Sequence, residues 1–358
     1  MKSNSRRLVL TCSAIVCCST YAAEKQPVPP LSSIGCPAKR IQYATFGTIE
    51  RHDQRLNQLI PADARIEKLA DGFVWAEGPV WVQNRDYLLF SDVPENTVYK
   101  WKECEGVSVF LRPSGYTGRT RRGGEPGSNG LTLDRRGRLV LCQHGDRRVA
   151  RLETDGTQTV LAEFYEWRRF NSPNDLVFRS NGDLYFTDPP YGLEGNNSDP
   201  RKELLFNGVY RRGDQGGITL LTAELTFPNG LAFSPDEKTL YVAQSDPTRA
   251  IWMAYPVQDD GTLGAGHVLL DATAMTKDRP GLPDGLKVDR EGNLFATGPG
   301  GVLVISPEGK HLGTINTGLP TANCAWGDDG STLYLTANHC LARVRTTTRG
   351  ACPPAQGR

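Results

Sequence analysis

Five side chains with oxygen donors recur at the same point of a repeated sequence unit. Glu77 stands at this point in the first copy of the unit, and Asp284 stands there in the fifth. Asparagine takes the position in the copies between them, as Asn129, Asn174 and Asn229. Carboxylate and carboxamide oxygens are the ligands that hard divalent cations prefer. If the fold brings the five positions together, these residues, which we call the oxygen ladder, predict one metal site.

The composition of the ladder indicates which cation it would bind. Ca²⁺ tolerates irregular oxygen geometry and accepts carboxamide oxygens readily, so it is the first expectation, with Mg²⁺, Mn²⁺ or Zn²⁺ as the other possibilities. None of the 5 histidines of the chain belongs to the ladder, and no CxxC or HxxxH spacing occurs. Both observations argue against a zinc site built from histidine or cysteine.

A second interpretation of the ladder is purely structural. Asn-Gly and Asp-Gly are turn dipeptides, because Asn and Asp tolerate left-handed backbone geometry, and repeats share turn residues for folding reasons alone. Glu77 favours the metal site over this alternative. Glutamate is not a turn former, and yet it precedes Gly78 at the same point of the repeat.

The unit that carries the ladder is clearest at residues 227–245, which read FPNGLAFSPDEKTLYVAQS. Two runs of strand-forming residues flank a polar turn at 234–238, which is typical of two antiparallel strands. Related segments begin at Glu77, Asn129, Asn174, Asp284 and Asn323. Copies spaced by roughly 40–55 residues are typical of propeller blades. The sequence therefore predicts an all-β protein, a six-bladed β-propeller with a metal site in its central channel, where equivalent positions of the innermost strands meet.

The ends of the chain differ in composition from the repeats. Residues 1–23 have a basic start, a short apolar run and small residues before the end, which predicts an export signal and a periplasmic or secreted protein. An ordinary Sec signal fits this segment better than a twin-arginine signal. Residues 24–65 are expected to be a linker and lead-in segment, 66–347 the propeller, and 348–358 an irregular tail.

The composition also bounds the partners. The net charge of +1 implies no nucleic acid partner, and no apolar run after residue 30 is long enough to span a membrane. Six cysteines follow the signal, and an even number in an exported protein permits disulfides, although the spacing fixes no pairs. The oligomeric state stays open.

Three long polar loops interrupt the repeats, at residues 112–128, 188–203 and 275–283. Long loops in a compact fold are often functional, and solvated connectors are the alternative. Arg119, Arg121 and Arg122 in the first loop would either grip an anionic sugar acid or belong to a solvated surface. Tyr191 in the second loop is a candidate for the lining of a pocket.

Several motifs resemble the SMP-30/gluconolactonase/LRE-like family. They include WAEGPVW at 75–81, RFNSPNDL at 169–176, YFTDPPYGL at 185–193 and LPDGLKVD at 282–289, and the likeness covers about residues 66–345. The resemblance implies a six-bladed propeller with a divalent metal in its channel and hydrolysis of sugar lactones. It implies Glu77, Asn229 and Asp284 as metal ligands and Asn174 as a ligand of metal or substrate.

Two further residues are candidate substrate contacts. The arginine of the family's RFN motif matches Arg169, although in this sequence the residues NSP lie between Phe170 and Asn174. His144 follows a strand of the second repeat, where it would contact the substrate or be a buried, hydrogen-bonded histidine.

The expected reaction is the attack of water on a metal-polarised lactone carbonyl, with Asp284 as general base and Glu77 as a ligand only. The alternatives are an esterase or phosphotriesterase-like hydrolase at the same site, and a non-enzymatic binding propeller that calcium stabilises. The chain has no G-x-S-x-G motif, so a serine hydrolase mechanism lacks support.

Overall fold

The computed structural model describes residues 41–120 and 122–351. The predicted export signal at 1–23, the first part of the lead-in segment, Arg121 and the end of the tail lie outside the described residues, as do Cys36 and Cys352.

Short antiparallel strands make up almost all of the regular structure of the described residues. The strands are β1 (Ala44–Phe46), β2 (Thr48–Arg51), β3 (Ile66–Asp71), β4 (Ala76–Val82), β5 (Tyr87–Asp92), β6 (Thr97–Lys102), β7 (Gly106–Leu111), β8 (Ser128–Leu133), β9 (Leu139–Gln143), β10 (Arg148–Leu152), β11 (Gln158–Ala162), β12 (Phe164–Tyr165), β13 (Arg168–Arg169), β14 (Leu176–Phe178), β15 (Leu184–Asp188), β16 (Gly208–Arg212), β17 (Ile218–Thr222), β18 (Pro228–Phe233), β19 (Thr239–Asp246), β20 (Arg249–Pro256), β21 (His267–Asp271), β22 (Leu286–Val288), β23 (Leu294–Gly298), β24 (Gly301–Ile305), β25 (His311–Asn316), β26 (Thr321–Gly327), β27 (Thr332–Ala337) and β28 (Cys340–Arg345). The helical elements are α1 (Leu56–Leu59) and two 3-10 helices, Asn196–Ser198 and Thr273–Lys277.

Six sheets form the blades, and within each blade the strands pair with their neighbours in chain order. Blades 1 to 4 consist of β4–β7, β8–β11, β14–β17 and β18–β21, and blade 5 consists of β22–β25 with β2 at its outer edge. Blade 6 combines β26–β28 with β3 and β1 from the start of the described chain. The first and last strands of the propeller therefore share one sheet, which closes the ring. The predicted fold class is confirmed.

Apolar side chains fill the space between neighbouring blades, because each sheet must bury both of its faces. Where the ring closes, Leu88 and Phe90 of blade 1 pack in one cluster with Tyr334 and Leu341 of blade 6. The ring of Trp81 stacks on that of Tyr334 with the centroids 5.3 Å apart. The described part of the lead-in segment belongs to this architecture, since β1 and β2 are outer strands of two blades.

The glycine that follows a ladder residue lies against the inner strand of the next blade. A Cβ atom there would fall 2.1 Å from the Asn129 carbonyl oxygen at Gly78, 2.6 Å from that of Asn174 at Gly130, 2.3 Å from that of Asp284 at Gly230, and 2.0 Å from Asn323 Cγ at Gly285. Of these glycines only Gly78 has a positive φ, of 51°. Asn-Gly and Asp-Gly therefore recur because the inner strands approach closely, and not mainly because a turn requires a left-handed residue.

Hydroxyl groups on the second strand of a blade also bind the inner strand of the next blade. The bonds run from Ser91 Oγ to Asn129 O at 2.9 Å, from Thr187 Oγ1 to Asn229 O at 2.7 Å, from Ser245 Oγ to Pro283 O at 2.5 Å, and from Thr297 Oγ1 to Ala322 O at 2.9 Å. Three of these bonds end at a ladder residue or at its neighbour. The fourth ends at Ala322, which takes the equivalent position in blade 6. Contacts between blades therefore fix the backbone that carries the ladder.

We expect Gly230→Ala to destabilise the protein by about 1–3 kcal/mol, because the added methyl group would overlap the Asp284 carbonyl oxygen and force the two inner strands apart. Gly123→Ala is the matched control, since Gly123 also lacks a positive φ and its nearest heavy atoms are 4.0 Å from the added Cβ. Denaturant unfolding of both variants measures the difference. Equal free energies of unfolding for the two variants would contradict the close-approach interpretation.

Candidate active site

All five ladder residues line one cavity of about 530 Å³ in the channel. Glu77, Asn129 and Asn229 lie within β4, β8 and β18, at a shift of strand register in each. Such bulges re-aim side chains, which here allows a residue of the innermost strand to face the cavity. Asn174 and Asp284 precede the shorter inner strands β14 and β22. The repeat thus brings together residues that are up to 207 positions apart, from 77 to 284.

Four ladder oxygens are buried without a hydrogen-bond partner. They are the Oδ1 atoms of Asn129, Asn174, Asn229 and Asp284. The amide nitrogen of Asn229 donates to Ser245 Oγ at 2.9 Å, and this bond holds its oxygen in place. An unsatisfied buried polar group costs about 1–3 kcal/mol, so four in one cavity indicate a binding partner for oxygen atoms. The donor set fits a hard cation.

Burial and mutual repulsion oppose the ionisation of the ladder carboxyls. The pKa of Glu77 is raised to about 8. Burial raises it most, the Gly78 amide that donates to Oε2 at 2.6 Å acts in the opposite direction, and the charge of Asp175 adds to the increase. Burial also raises the pKa of Asp284 well above its ordinary value, with additional contributions from the charges of Glu77, Asp175 and Glu125. A positive charge in the cavity would relieve both effects.

The ladder does not resemble a zinc site. Within residues 41–120 and 122–351, no cluster of three or more His, Cys, Asp or Glu side chains has the arrangement of a metal site. The ladder has only two carboxylates, and its other donors are carboxamides. No histidine lines the cavity.

Asp175 and Asn323 occupy the position that glycine holds in the other four blades. Their side chains meet across the channel, with Asn323 Nδ2 3.5 Å from Asp175 Oδ2. A Cβ at Gly130 would fall 2.8 Å from Asp175 Oδ1, and one at Gly285 would overlap Asn323. These glycines therefore make room for two polar side chains beside the ladder.

Each of the three long loops contributes to the lining of the cavity. The first supplies Glu125, the second Tyr191, and the third Arg279 together with Thr276, Pro280, Gly281 and Leu282. The Tyr191 hydroxyl is buried without a hydrogen-bond partner. Arg279 is held by Glu50 of β2, with 2.7 Å between Nη1 and Oε2. Sequence reasoning singled out the loops and Tyr191 but missed Glu125, Arg279 and Ser245, because the first two have no counterpart in the repeat and Ser245 resembles any other strand residue.

The structure does not bring Arg169 to the cavity. Its guanidinium donates to the Asp146 carbonyl at 2.6 Å and to Glu163 Oε1 at 2.9 Å, beside the β12–β13 hairpin. Arg122 donates to the carbonyl oxygens of Gly145 and Gly192, so it ties loops together and does not present a free cation to an anionic sugar.

His144 lies behind the cavity wall and not in it. Its side chain is fully buried, and its Nδ1 lies 3.0 Å from Oε2 of Glu125, which does line the cavity. The contact is short but not aligned as a hydrogen bond, and neither ring nitrogen has a hydrogen-bond partner. A direct substrate contact by His144, as the sequence suggested, would need the wall to move.

The family model, the similar sequences and a similar solved structure agree on the group of proteins that this chain resembles. The family model of the SMP-30/gluconolactonase/LRE-like region matches residues 75–339. A gluconolactonase of Zymomonas mobilis is 41% identical over 353 residues, which cover 97% of this chain and 98% of the relative. A pentonolactonase of Haloferax volcanii is 24% identical over 73% of this chain and 80% of its own length. The solved structure of a gluconolactonase of Xanthomonas campestris superimposes with a TM-score of 0.74 at 32% identity, over 86% of this chain and 98% of that one.

The raised pKa of Glu77 makes the stability of the metal-free protein depend on pH. Between the ordinary value of 4.5 and about 8, the folded state keeps a proton that the unfolded state has lost. The free energy of unfolding should therefore fall as the pH rises through this window. Thermal unfolding of the chelator-treated protein at several pH values measures the slope.

Glu77→Gln should make this slope shallower without abolishing it, because Asp284, whose pKa burial also raises, still contributes. Glu194→Gln should leave the slope unchanged, because the Glu194 side chain is 48% exposed. The same slope in Glu77→Gln as in the wild type would show that the Glu77 carboxyl is not one of its sources.

Proposed function

Because the chain belongs to the SMP-30/gluconolactonase/LRE-like family, we propose that it hydrolyses a sugar lactone and that one divalent cation assists the reaction. Ca²⁺ is the first candidate for this cation. The observation that carries the proposal is the convergence of Glu77 and four unpartnered ladder oxygens in one cavity. A scaffold that binds no metal needs no such convergence of buried acids and amide oxygens. The similarity to a gluconolactonase favours an enzyme over a propeller that calcium only stabilises.

The residues proposed to hold the cation are Glu77, Asn174, Asn229 and Asp284, and Asn129 lies in the same cavity. A divalent cation bound there would polarise the lactone carbonyl and stabilise the negative charge that develops on its oxygen. The carboxamides suit this task, because they supply oxygen donors without adding further repelling charge.

Asp284 is the proposed general base. Its buried carboxyl lies in the same cavity, so the carboxylate oxygen that does not hold the cation can accept a proton from the attacking water. The new C–O bond forms at the carbonyl carbon, and the bond to the ring oxygen then breaks, which leaves an open-chain hydroxy acid. Glu77 differs because its Oε2 already accepts the Gly78 amide proton, which is consistent with a ligand role.

The cavity favours a small substrate that carries hydroxyl groups. Its volume of about 530 Å³ falls in the range of roughly 300–1,000 Å³ that small-molecule pockets occupy. The side chains of Asn129, Tyr191 and Arg279 at its wall can hydrogen-bond the hydroxyl groups of a sugar. The proposed substrate site omits Arg169.

Export remains part of the proposal. Cys104 is disulfide-bonded, whereas Cys142, Cys324 and Cys340 are free and buried. A structural disulfide supports an oxidising compartment such as the periplasm or the cell exterior. Among the described residues, no helix is long and apolar enough to cross a membrane.

The direct test is hydrolysis of glucono-1,5-lactone, followed by acid release at constant pH, before and after chelation and after return of each divalent cation. We expect activity that chelation abolishes and Ca²⁺ restores. Turnover of simple esters or phosphotriesters without lactone hydrolysis would favour the broader hydrolase. Stabilisation by Ca²⁺ without any turnover would favour the binding propeller.

Two substitutions separate the roles of the carboxylates. Asp284→Asn should lower kcat by about 10²–10⁴-fold at saturating cation, because the amide cannot take the proton. Glu77→Gln should raise the cation concentration needed for half-maximal activity. At saturating cation it should keep much of the wild-type kcat. Asp259→Asn is the control, since Asp259 is exposed and distant from the ladder in sequence. Wild-type kinetics in both cavity variants would contradict the assigned roles.

A further inference from the structure

One acidic side chain of the cavity has no task in the proposed reaction. Glu125 lies on the loop formed by residues 112–128, which we call the strap. The strap is fixed on both sides of Glu125: Arg122 donates to the Gly145 carbonyl at 2.5 Å, and the Gly127 amide donates to the Val93 carbonyl at 2.8 Å. The Glu125 carboxyl is thus held at the cavity by a braced backbone.

The partner of Glu125 is a fully buried histidine. His144 Nδ1 is 3.0 Å from Glu125 Oε2, and the His144 amide donates to the Gly127 carbonyl of the strap at 3.1 Å. An imidazole nitrogen and a carboxyl oxygen at this distance attract each other only when a proton lies between them. The imidazolium can donate to the carboxylate, or the carboxylic acid can donate to the neutral imidazole. A pair that carries one proton can therefore share it between the two side chains beside the cavity.

The opening of a lactone needs such a proton. Departure of the ring oxygen as an alkoxide is unfavourable unless an acid protonates it, and a positioned acid contributes about 10²–10⁴-fold. Asp284 is already assigned to the water, and Glu77 to the cation. Tyr191 also lines the cavity with an unpartnered hydroxyl, but burial raises the pKa of this phenol above its already high ordinary value, so it is a much weaker acid than a carboxyl group.

We propose that Glu125 is the general acid that protonates the departing ring oxygen, and that His144 is the positioning residue that shares its proton. This inference rests on the proposed lactone hydrolysis. Asp284 takes a proton from water as the new C–O bond forms. The ring C–O bond then breaks, its electron pair stays on the ring oxygen, and that oxygen takes the proton from Glu125.

The proton balance closes with solvent. The pair regains a proton from water, which can reach it because 35% of the Glu125 side chain is exposed. Asp284 releases the proton that it accepted, and the net reaction consumes one water per lactone. The apo contact between Glu125 and His144 is not linear, as is common for catalytic hydrogen bonds before substrate is bound.

A comparison of leaving groups tests this assignment. Glucono-1,5-lactone releases an alcohol, whereas the aryl lactone dihydrocoumarin releases a phenol, which is a far better leaving group and needs little protonation. Glu125→Gln should lower kcat for gluconolactone by about 10²–10⁴-fold and leave kcat for dihydrocoumarin within a few fold. Glu194→Gln is the matched control, a carboxylate beside the strap that does not line the cavity.

His144 requires its own readout, because a buried histidine also contributes to packing. His144→Asn keeps a donor near the position of Nδ1 but cannot carry the proton. It should lower kcat for gluconolactone by about 10–100-fold, leave dihydrocoumarin turnover intact, and unfold at a temperature close to that of the wild type. Loss of both activities with a lowered unfolding temperature would make His144 merely structural.

The outcomes separate this inference from the proposed function. Equal losses for the two substrates in Glu125→Gln would make Glu125 a binding residue and overturn its role as an acid. Unchanged kinetics would remove Glu125 from the reaction. If the wild-type protein hydrolyses neither lactone, the proposed function itself fails before any variant is compared.

Discussion

Backbone contact between neighbouring inner strands is the constraint on which the channel depends. At four points a single methyl group would not fit between one inner strand and the inner strand of the next blade. The hydroxyl bonds from Ser91, Thr187, Ser245 and Thr297 lock the same neighbours together. The spacing of the ladder oxygens is therefore set by the packing of the blades and needs no ligand to arrange it, which is the kind of preorganisation that a binding or catalytic site requires.

This arrangement is unfavourable by itself, and the rest of the fold must offset it. Four unpartnered oxygens and two carboxyl groups with raised pKa values lie at the centre of the ring. The compensation comes from the apolar layers between blades and from blade 6, in which β3 from the start of the propeller pairs with β28 from its end. A closed ring is suited to this burden, because the inner strands cannot separate unless several interfaces open together.

The repeat made the architecture predictable from the sequence. Its period and alternation predict the number of blades, and the shared position before each inner strand predicts that Glu77, Asn129, Asn174, Asn229 and Asp284 converge. The roles of these residues as ligands or base stay predictions. Local patterns could not reveal that β2 and β3 are outer strands of blades 5 and 6, because those pairings join residues far apart in the chain. Arg169 shows that a motif match does not fix the position of a side chain, since the β12–β13 hairpin directs this one to Glu163.

The contrast between ladder and loops has a physical basis. The ladder is symmetric, because each blade must satisfy the same contacts with its neighbours, so its residues follow the period of the repeat. Glu125, Tyr191 and Arg279 come from loops that no such contact constrains. Arg279 is held by Glu50, and Glu125 lies on the strap, which hydrogen bonds fix on both sides. Loops of this kind can change without disturbing the inner strands. A family built on this ring can therefore keep one oxygen site while the wall above it adapts to lactones of different shape.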